Sequence, residues 1–328
     1  MIDREIGLRP GSRIDCHTHG GGENPYGKFM GEYPFVQSVC DLRFKQLAGG
    51  IENTIVFPMP GTYYYRIDRT TKEFWRPSGL MHFPYEVENE ALLRDVEIAR
   101  QLYPEGIIFP FLNIHPTECV GQQIDHLDRL MQKYGFAGLK FHSSGTNVDA
   151  EALINTPFIE FMRYYNIPLI VHSGVFKPNA HPRHALLLAY AHPDIRISIA
   201  HLAAWDKNIL EEIKRLPNLF TDCSPYLANF TSVVKPGHEA FVSPNRFIST
   251  FAEAEETLLE LIRSLKGKLL WGTDEPWTTY NFDTGELILR ITYGDEVKII
   301  EKLYREGYLS EIEDIVNKNP QRFLFGSS

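Results

Sequence analysis

The stretch Ile14-Asp15-Cys16-His17-Thr18-His19 is a short apolar run that ends in two histidines one residue apart, just ahead of Gly20, Gly21 and Gly22. Side chains two apart on a β-strand share a face, roughly 6.6 Å apart along the chain. Two imidazoles so placed converge on one cation; the alternative is a hydrogen-bonded pair on an edge strand. With 12 histidines in 328 residues, such a pair arises about 0.4 times by chance. Its weight comes from its place, at the C-terminal end of a predicted strand and before a glycine-rich turn.

Runs of the same kind recur along the chain. The predicted strands are Arg13–His19, Asn53–Pro60, Gly106–Pro116, Gly135–Ser144, Ile167–Gly174, Ile195–Ala204, Asn218–Tyr226 and Lys268–Trp277. Their cores, such as TIVF, IIFPFL and PLIV, are near-continuous apolar stretches, which suits strands buried on both faces of a parallel sheet. Helical spacing lies between them. Glu86–Tyr103 places Ala91, Leu92, Asp95, Ile98, Ala99 and Leu102 on one predicted stripe. Gln122–Tyr134 does so with Ile124, Leu127, Leu130 and Met131, and Glu253–Leu265 with Leu258, Leu259, Leu261, Ile262 and Leu265. Alternating strands and helices with short connections predict an α/β fold, a TIM (β/α)8 barrel in a single domain spanning 1–328; an open doubly wound sheet is the alternative. The first turn, GGGENPYG, lacks the GxGxxG spacing of a dinucleotide fold.

Two βα connections, after strands 2 and 7, are longer than turns require: Gly61–Tyr85 and Leu227–Thr250. The first holds Tyr63, Tyr64, Tyr65, Phe74 and Trp75, an aromatic content that disfavours disorder. Residues 61–85 therefore read as a lid insertion over the substrate, with an oligomer contact or small subdomain as the alternative.

Other strand ends repeat the pattern of the first. Ile170-Val171-His172 closes the fifth predicted strand, Ile199-Ala200-His201 the sixth, and Gly272-Thr273-Asp274 the eighth. One histidine at a strand end is ordinarily a satisfied core residue. Three such strand ends with a carboxylate at a fourth fit that reading poorly. In a closed barrel these ends meet in one cup, and strands one and eight are neighbours. His17, His19 and Asp274 then lie together, and His172 reaches in from across the mouth. Imidazole nitrogens with one carboxylate oxygen suit a single divalent metal, Zn²⁺ best, with Mn²⁺, Fe²⁺ or Co²⁺ also accommodated. A water on such an ion is acidic near neutral pH. Asp274 is placed both to touch the metal and to take that water's proton, and His201 to polarise a substrate oxygen or orient the water.

Lys140 and His142 share one face at the end of the fourth strand. Lys140 could be carbamylated and bridge a second metal, or pair with a substrate carboxylate; capping carbonyls is an equal alternative. His115 could line the pocket. His181, His184 and His192 read as surface or packing residues. Glu23, Arg66, Arg69 and Arg76 are loop residues that could select a substrate.

The balance of 33 basic and 42 acidic residues, −9 overall, argues against nucleic acid or an anionic membrane as partner. It leaves a small-molecule substrate and a homo-oligomer open. Cys16, Cys40, Cys119 and Cys223 form no CxxC pair and read as buried or inert thiols of an intracellular protein. No run approaches the ~18 apolar residues of a membrane span, so the expectation is a soluble cytoplasmic protein.

The segments IDCHTH, GLKFHSS, IVHSG, IAHLAAW and LLWGTDEPW, followed by Asp314–Phe325, resemble in order those of the amidohydrolase superfamily, in its branch of amidohydrolase-2-type hydrolases and decarboxylases. The resemblance implies a mononuclear divalent metal, usually zinc, held at His17, His19, His172 and Asp274, with His201 as catalytic partner. It implies hydrolysis of amides, esters or lactones, or non-oxidative decarboxylation of aromatic acids. Some lactonases of the branch work without metal, and binuclear relatives use a carbamylated lysine at the place of Lys140. A non-catalytic binding barrel would be expected to have lost one of the five residues, and none is lost.

Overall fold

The computed structural model describes residues 9, 11–23, 36–59, 66–67, 74–75, 83–175, 177–234, 242–276, 279–280, 287–289 and 291–326. Eight parallel strands are hydrogen-bonded in chain order. They are β1 (Ile14–Gly20), β2 (Asn53–Pro58), β3 (Ile108–Ile114), β4 (Gly138–Phe141), β5 (Leu169–Val171), β6 (Ile197–Ile199), β7 (Leu219–Asp222) and β8 (Leu269–Leu270). Every residue of these strands is buried, which is why most of them read as near-continuous apolar runs rather than alternations. The sheet comes back on itself. Cys16 N donates to Trp271 O at 2.9 Å, Asp274 N to His17 O at 2.7 Å and His19 N to Glu275 O at 2.8 Å. This is the TIM-barrel architecture expected from the alternation of strands and helices.

The strands are shorter than their apolar runs. The sixth predicted strand stops at Ile199, and Ala200–Trp205 turn away from the sheet. The eighth is regular only over Leu269–Leu270, and Trp271–Asp274 continue along β1 by the bonds just described. After β6 the turn Ala200–Trp205 is itself largely apolar, so hydropathy does not mark the strand end; after β8, Trp271–Asp274 stay buried against β1 although the regular ladder has ended.

The helices sit outside. In Glu86–Leu102 the buried residues include Asn89, Leu92, Leu93, Val96 and Ala99, while Ile98 and Leu102 are exposed. The buried stripe is thus rotated from the one that the sequence suggests, because adjacent Leu92 and Leu93 admit two registers and the helix docks on the one that continues through Val96. Helix Val120–Lys133 buries Leu127 and Leu130, and Ala254–Ser264 buries Leu258, Leu259, Leu261 and Ile262, as their spacing predicts.

A smaller cluster fills the barrel itself: Ile14, Ile55, Phe57, Phe109, Phe111, Ile170, Phe220 and Leu270, joined by Phe323 and Leu324 of the helix Asn319–Phe325. Phe323 lies 5.4 Å from Phe220 and 6.3 Å from Phe111, ring centre to ring centre. Ile107 and Ala137, which precede β3 and β4, pack against the same cluster. The terminal helix therefore stops the N-terminal mouth and leaves the C-terminal mouth for polar residues.

Of the long connections, Arg66–Ile67 pairs antiparallel with Phe74–Trp75. The rest of the expected lid up to its last residues (61–65, 68–73 and 76–82) lies outside the described residues, and with it Arg69 and Arg76; so does Trp277. The second connection opens with a helix, Tyr226–Val234, whose uncharged sequence YLANFTSVV carries no polar face to announce it. All four cysteines are free; Cys16 and Cys223 are buried and Cys119 is exposed. Among the described residues no helix is long and apolar enough to cross a membrane.

Glu296, on the helix Tyr293–Arg305, is 2% exposed. Burial raises its carboxyl from 4.5 to about 8, against a hydrogen bond from Leu227 N. Between those values the folded chain keeps a proton that the unfolded chain has lost, so stability falls as pH rises through the window. Glu296→Gln should melt higher than the parent above pH 8, with the gap closing toward pH 5. Parallel melting curves across that range would show that Glu296 is ionised in the fold.

Candidate metal centre

Between Asp15 and Thr18 the register of β1 on β2 slips by one residue. Such a bulge re-aims side chains, and here it falls beside His17. The Asp15 carboxylate holds the distortion, accepting from His17 N at 3.2 Å, Thr273 N at 3.1 Å and Thr273 Oγ1 at 2.8 Å. Burial raises Asp15 to about 7 in spite of these bonds.

The imidazoles are oriented by what their Nδ1 atoms meet. His17 Nδ1 lies 3.1 Å from Asp222 Oδ2, His19 Nδ1 3.3 Å from Pro58 O, and His201 Nδ1 2.6 Å from Ser224 O. A carbonyl or an ionised carboxylate only accepts, so each Nδ1 donates and each Nε2 carries a lone pair. Those lone pairs turn to one place. His17 Nε2 is 3.4 Å and His19 Nε2 3.2 Å from Asp274 Oδ1. Ligating atoms of His17, His201 and Asp274 all lie within 4.8 Å of one another. His172 Nδ1 is 3.0 Å from His201 Nε2, so His172 stands one hydrogen bond from that group.

Lys140, 1% exposed, points its Nζ into the same cup, 3.3 Å from His17 Nε2 and 4.2 Å from the centre of the Phe57 ring. Phe57 also meets His17 and His19 edge-on, at 4.7 and 4.5 Å. His142 is engaged differently. Its Nδ1 accepts from Gly145 N at 3.0 Å and its ring stacks on His172 at 4.0 Å. His115 Nδ1 accepts from the backbone of Thr117 and Glu118 at 3.3 and 3.2 Å, capping the turn after β3. His184 and His192 pack on other elements, bonded to Glu151 and to Ile154 O.

Backbone strain gathers here. Asp274 sits at φ 57°, and His201, Leu202, Ala203, Ala204 and Trp205 run consecutively at φ 50–61°. A left-handed turn of non-glycine residues costs roughly 1–2 kcal/mol per residue, so its surroundings must hold it. Ser243 N donates to Ala204 O at 2.8 Å, Phe247 N to Trp205 O at 2.7 Å, and His201 N to Asp222 Oδ1 at 3.3 Å. Trp205 is fully buried beneath the turn.

Burial, with the charge of Lys140, lowers His17 to about 4. Burial lowers His19 as well, and burial with the imidazoles of His142 and His201 sends His172 well below the usual value. Burial lowers Lys140 to about 8, partly offset by Asp222 and Asp274. Burial alone would raise Asp222 and Asp274, but the surrounding imidazoles and hydrogen bonds outweigh it and hold both well below the usual carboxylate range. At neutral pH the rings of His17, His19 and His172 are therefore neutral and the carboxylates of Asp222 and Asp274 ionised. That is the protonation state a divalent ion needs in its ligands. The 3.2 and 3.4 Å separations from Asp274 Oδ1 also match the edge of about 3.4 Å in a tetrahedron with 2.0–2.2 Å bonds. The donor set fits a metal.

Asp222 and Asp15, which bond to His17 and, for Asp15, to Thr273, are residues that the sequence reading misses. The strand-end rule that finds His172 and Asp274 also applies to Asp222, the last residue of β7. Asp15 gives no signal, since its role depends on Thr273, which is distant in sequence.

The family model described as Amidohydrolase matches residues 14–326. No curated protein matches. Among solved structures, a manganese-bound 5-carboxyvanillate decarboxylase of Novosphingobium aromaticivorans is similar at TM-score 0.57 and 12% identity, over 97% of this chain and 99% of that one. A dihydropyrimidinase of Brevibacillus agri is similar at 0.59 and 15%, over 96% and 71%. An apo structure from Agrobacterium tumefaciens is similar at 0.54 and 14%, over 99% and 98%. At these identities the three likenesses concern the fold.

Gly272 marks how closely the last strand approaches the first: a Cβ there would lie 2.8 Å from His17 Cβ and 2.9 Å from His17 N. Gly272→Ala is expected to destabilise the protein by about 1–3 kcal/mol and to shift the His17 imidazole resonances. An alanine variant with the parent's melting point and His17 spectrum would show the contact to be slack.

Proposed function

The chain belongs to the amidohydrolase family, and from that premise we propose that it is a metal-dependent hydrolase of a small amide, ester or lactone. The observation that carries this reading is the convergence of His17 Nε2, His19 Nε2 and Asp274 Oδ1, with both Nδ1 atoms committed elsewhere. His17, His19, His172 and Asp274 would hold one divalent ion, with Zn²⁺ the best match to three imidazoles and a carboxylate. Bound there, the ion supplies Lewis acidity, polarising a carbonyl and making a water acidic near neutral pH.

The chain's own groups do the rest. Asp274, ionised at neutral pH, accepts the proton of the attacking water at its carboxylate and later returns it to the leaving group. His201, with Nδ1 held on Ser224 O, keeps Nε2 toward the centre and orients that water. His172 is assigned to the ion because burial keeps it neutral and the His142 ring fixes its plane. Lys140 faces the centre and is placed to receive a substrate carboxylate. Its lowered value, about 8, also eases carbamylation, which would give the cup a ligand for a second metal. Phe57, between both histidines and Lys140, shields the cup from water on one side.

A second reading, non-oxidative decarboxylation of a small aromatic acid, draws on one observation: the similar manganese-bound decarboxylase matches this chain over nearly its whole length, whereas the dihydropyrimidinase is longer. The same residues serve it, with Lys140 holding the carboxylate that leaves.

Chelation should abolish turnover, and added Zn²⁺ or Mn²⁺ should restore it; activity that survives chelation would point to a metal-free lactonase. His17→Ala and Asp274→Ala should lose both bound metal and activity. His201→Ala should keep the metal while turnover falls about 10²–10⁴-fold. A His201→Ala protein stripped of metal would exchange the roles of His201 and His172. Incubation with lactones, cyclic amides and aromatic acids, reading ring opening against CO₂ release, separates the two reactions.

A further inference from the structure

Asp222 is fully buried at the end of β7, and its two oxygens face different partners. Oδ2 lies 3.1 Å from His17 Nδ1. Oδ1 accepts from Ser224 N at 3.1 Å, from His201 N at 3.3 Å and from the Ser224 hydroxyl. Ser224 in turn offers its carbonyl to His201 Nδ1 at 2.6 Å. One carboxylate is thus bonded to the ring of one central histidine, to the backbone of the other, and to the residue that orients the second ring.

We infer that Asp222 is a positioning residue that sets the tautomer of His17 and anchors the left-handed turn carrying His201, so that both Nε2 atoms face the centre as lone pairs. This rests on the metal-centre reading above and adds to it a residue that touches neither ion nor substrate. The chemistry of the partners makes the assignment specific. Ser224 N–H and His201 N–H can only donate, so whatever stands at the Oδ1 position must accept. An oxygen facing His17 Nδ1 makes that nitrogen the donor and leaves Nε2 bare. Carboxylates bonded to the outer nitrogen of a metal-ligating histidine act in this way, and their loss typically weakens metal binding about 10- to 100-fold.

Asparagine separates this role from mere packing. In Asp222→Asn the amide oxygen must stay on the two backbone N–H groups, since an NH₂ there would face two donors. The NH₂ is then forced toward His17 Nδ1, which becomes the acceptor, and the ring proton moves to Nε2. There it meets Lys140 Nζ, 3.3 Å away in the parent and itself a donor. Size and the backbone bonds are preserved, so the variant should melt near the parent.

The test is made on the full-length protein, with and without Zn²⁺. Nitrogen-15 histidine spectra of the metal-free parent should show the His17 proton on Nδ1, and those of Asp222→Asn should show it on Nε2. The Zn²⁺ dissociation constant, read by competition with a chelator, should rise about 10- to 100-fold in Asp222→Asn. Ser224→Ala, which removes only the hydroxyl bond to Oδ1, should keep the parent's tautomer and affinity. An Asp222→Asn protein that keeps its Nδ1 proton and binds Zn²⁺ like the parent overturns the proposal, whatever its melting point. The spectra need neither metal nor turnover. A chain that neither binds Zn²⁺ nor hydrolyses anything would refute the proposed function and still report whether Asp222 sets the tautomer.

Discussion

The bonds between the first strand and the last are the constraint on which everything at the C-terminal mouth depends. Asp274 N donates to His17 O, and His19 N donates to Glu275 O. Because these are backbone bonds between adjoining strands, they set side chains from opposite ends of the chain a few ångströms apart. Gly272 keeps the approach close, and Asp15 ties the bulge in β1 to Thr273 across the same seam. An open sheet of the same strands would leave His17 and Asp274 on opposite edges, with no common point to face.

Around that seam the electrostatics are arranged so that opposing costs cancel. Burial drives His17, His19 and His172 neutral and would also drive the carboxylates neutral, yet Asp222 and Asp274 remain ionised because the surrounding imidazoles and hydrogen-bond donors outweigh it. The result is a buried cup with negative charge on its carboxylates and lone pairs on its nitrogens. At Asp15 and Glu296 burial outweighs the donors that face them, and both hold their protons into the neutral range. Carboxylates of one chemical type thus take two charge states within one barrel, according to what donates to them.

Much of this is legible in the sequence, for a physical reason. Strands buried on both faces are largely apolar, so polar residues stand out near their C-terminal ends, where His17, His19, His172 and Asp274 lie. The lengths of the strands are not legible, because the turn after β6 is as buried as β6 itself. The rotated stripe of Glu86–Leu102 shows the same limit, since two adjacent leucines serve either register. Asp222 closes β7 as Asp274 follows β8, but a single carboxylate there does not say which of its neighbours it serves. Its meaning appears only when His17 and Ser224 are found on either side of it. The plug formed by Phe323 is likewise a matter of tertiary contact: its helix resembles the terminal helix of the family, but nothing local says that its ring enters the barrel.

The turn from His201 to Trp205 has a further consequence. Alanine and leucine are strong right-handed helix formers, so the isolated segment His-Leu-Ala-Ala-Trp prefers the opposite hand to the one it adopts. Its native shape conflicts with its local propensity and is imposed by neighbours, among them the oxygens of Asp222 and the backbone of Ser243 and Phe247. Those neighbours belong to the seventh strand and to the segment beyond it, which leave the ribosome later. The left-handed turn that carries His201 is therefore completed from the C-terminal side, by β7 and the segment around residues 243–247.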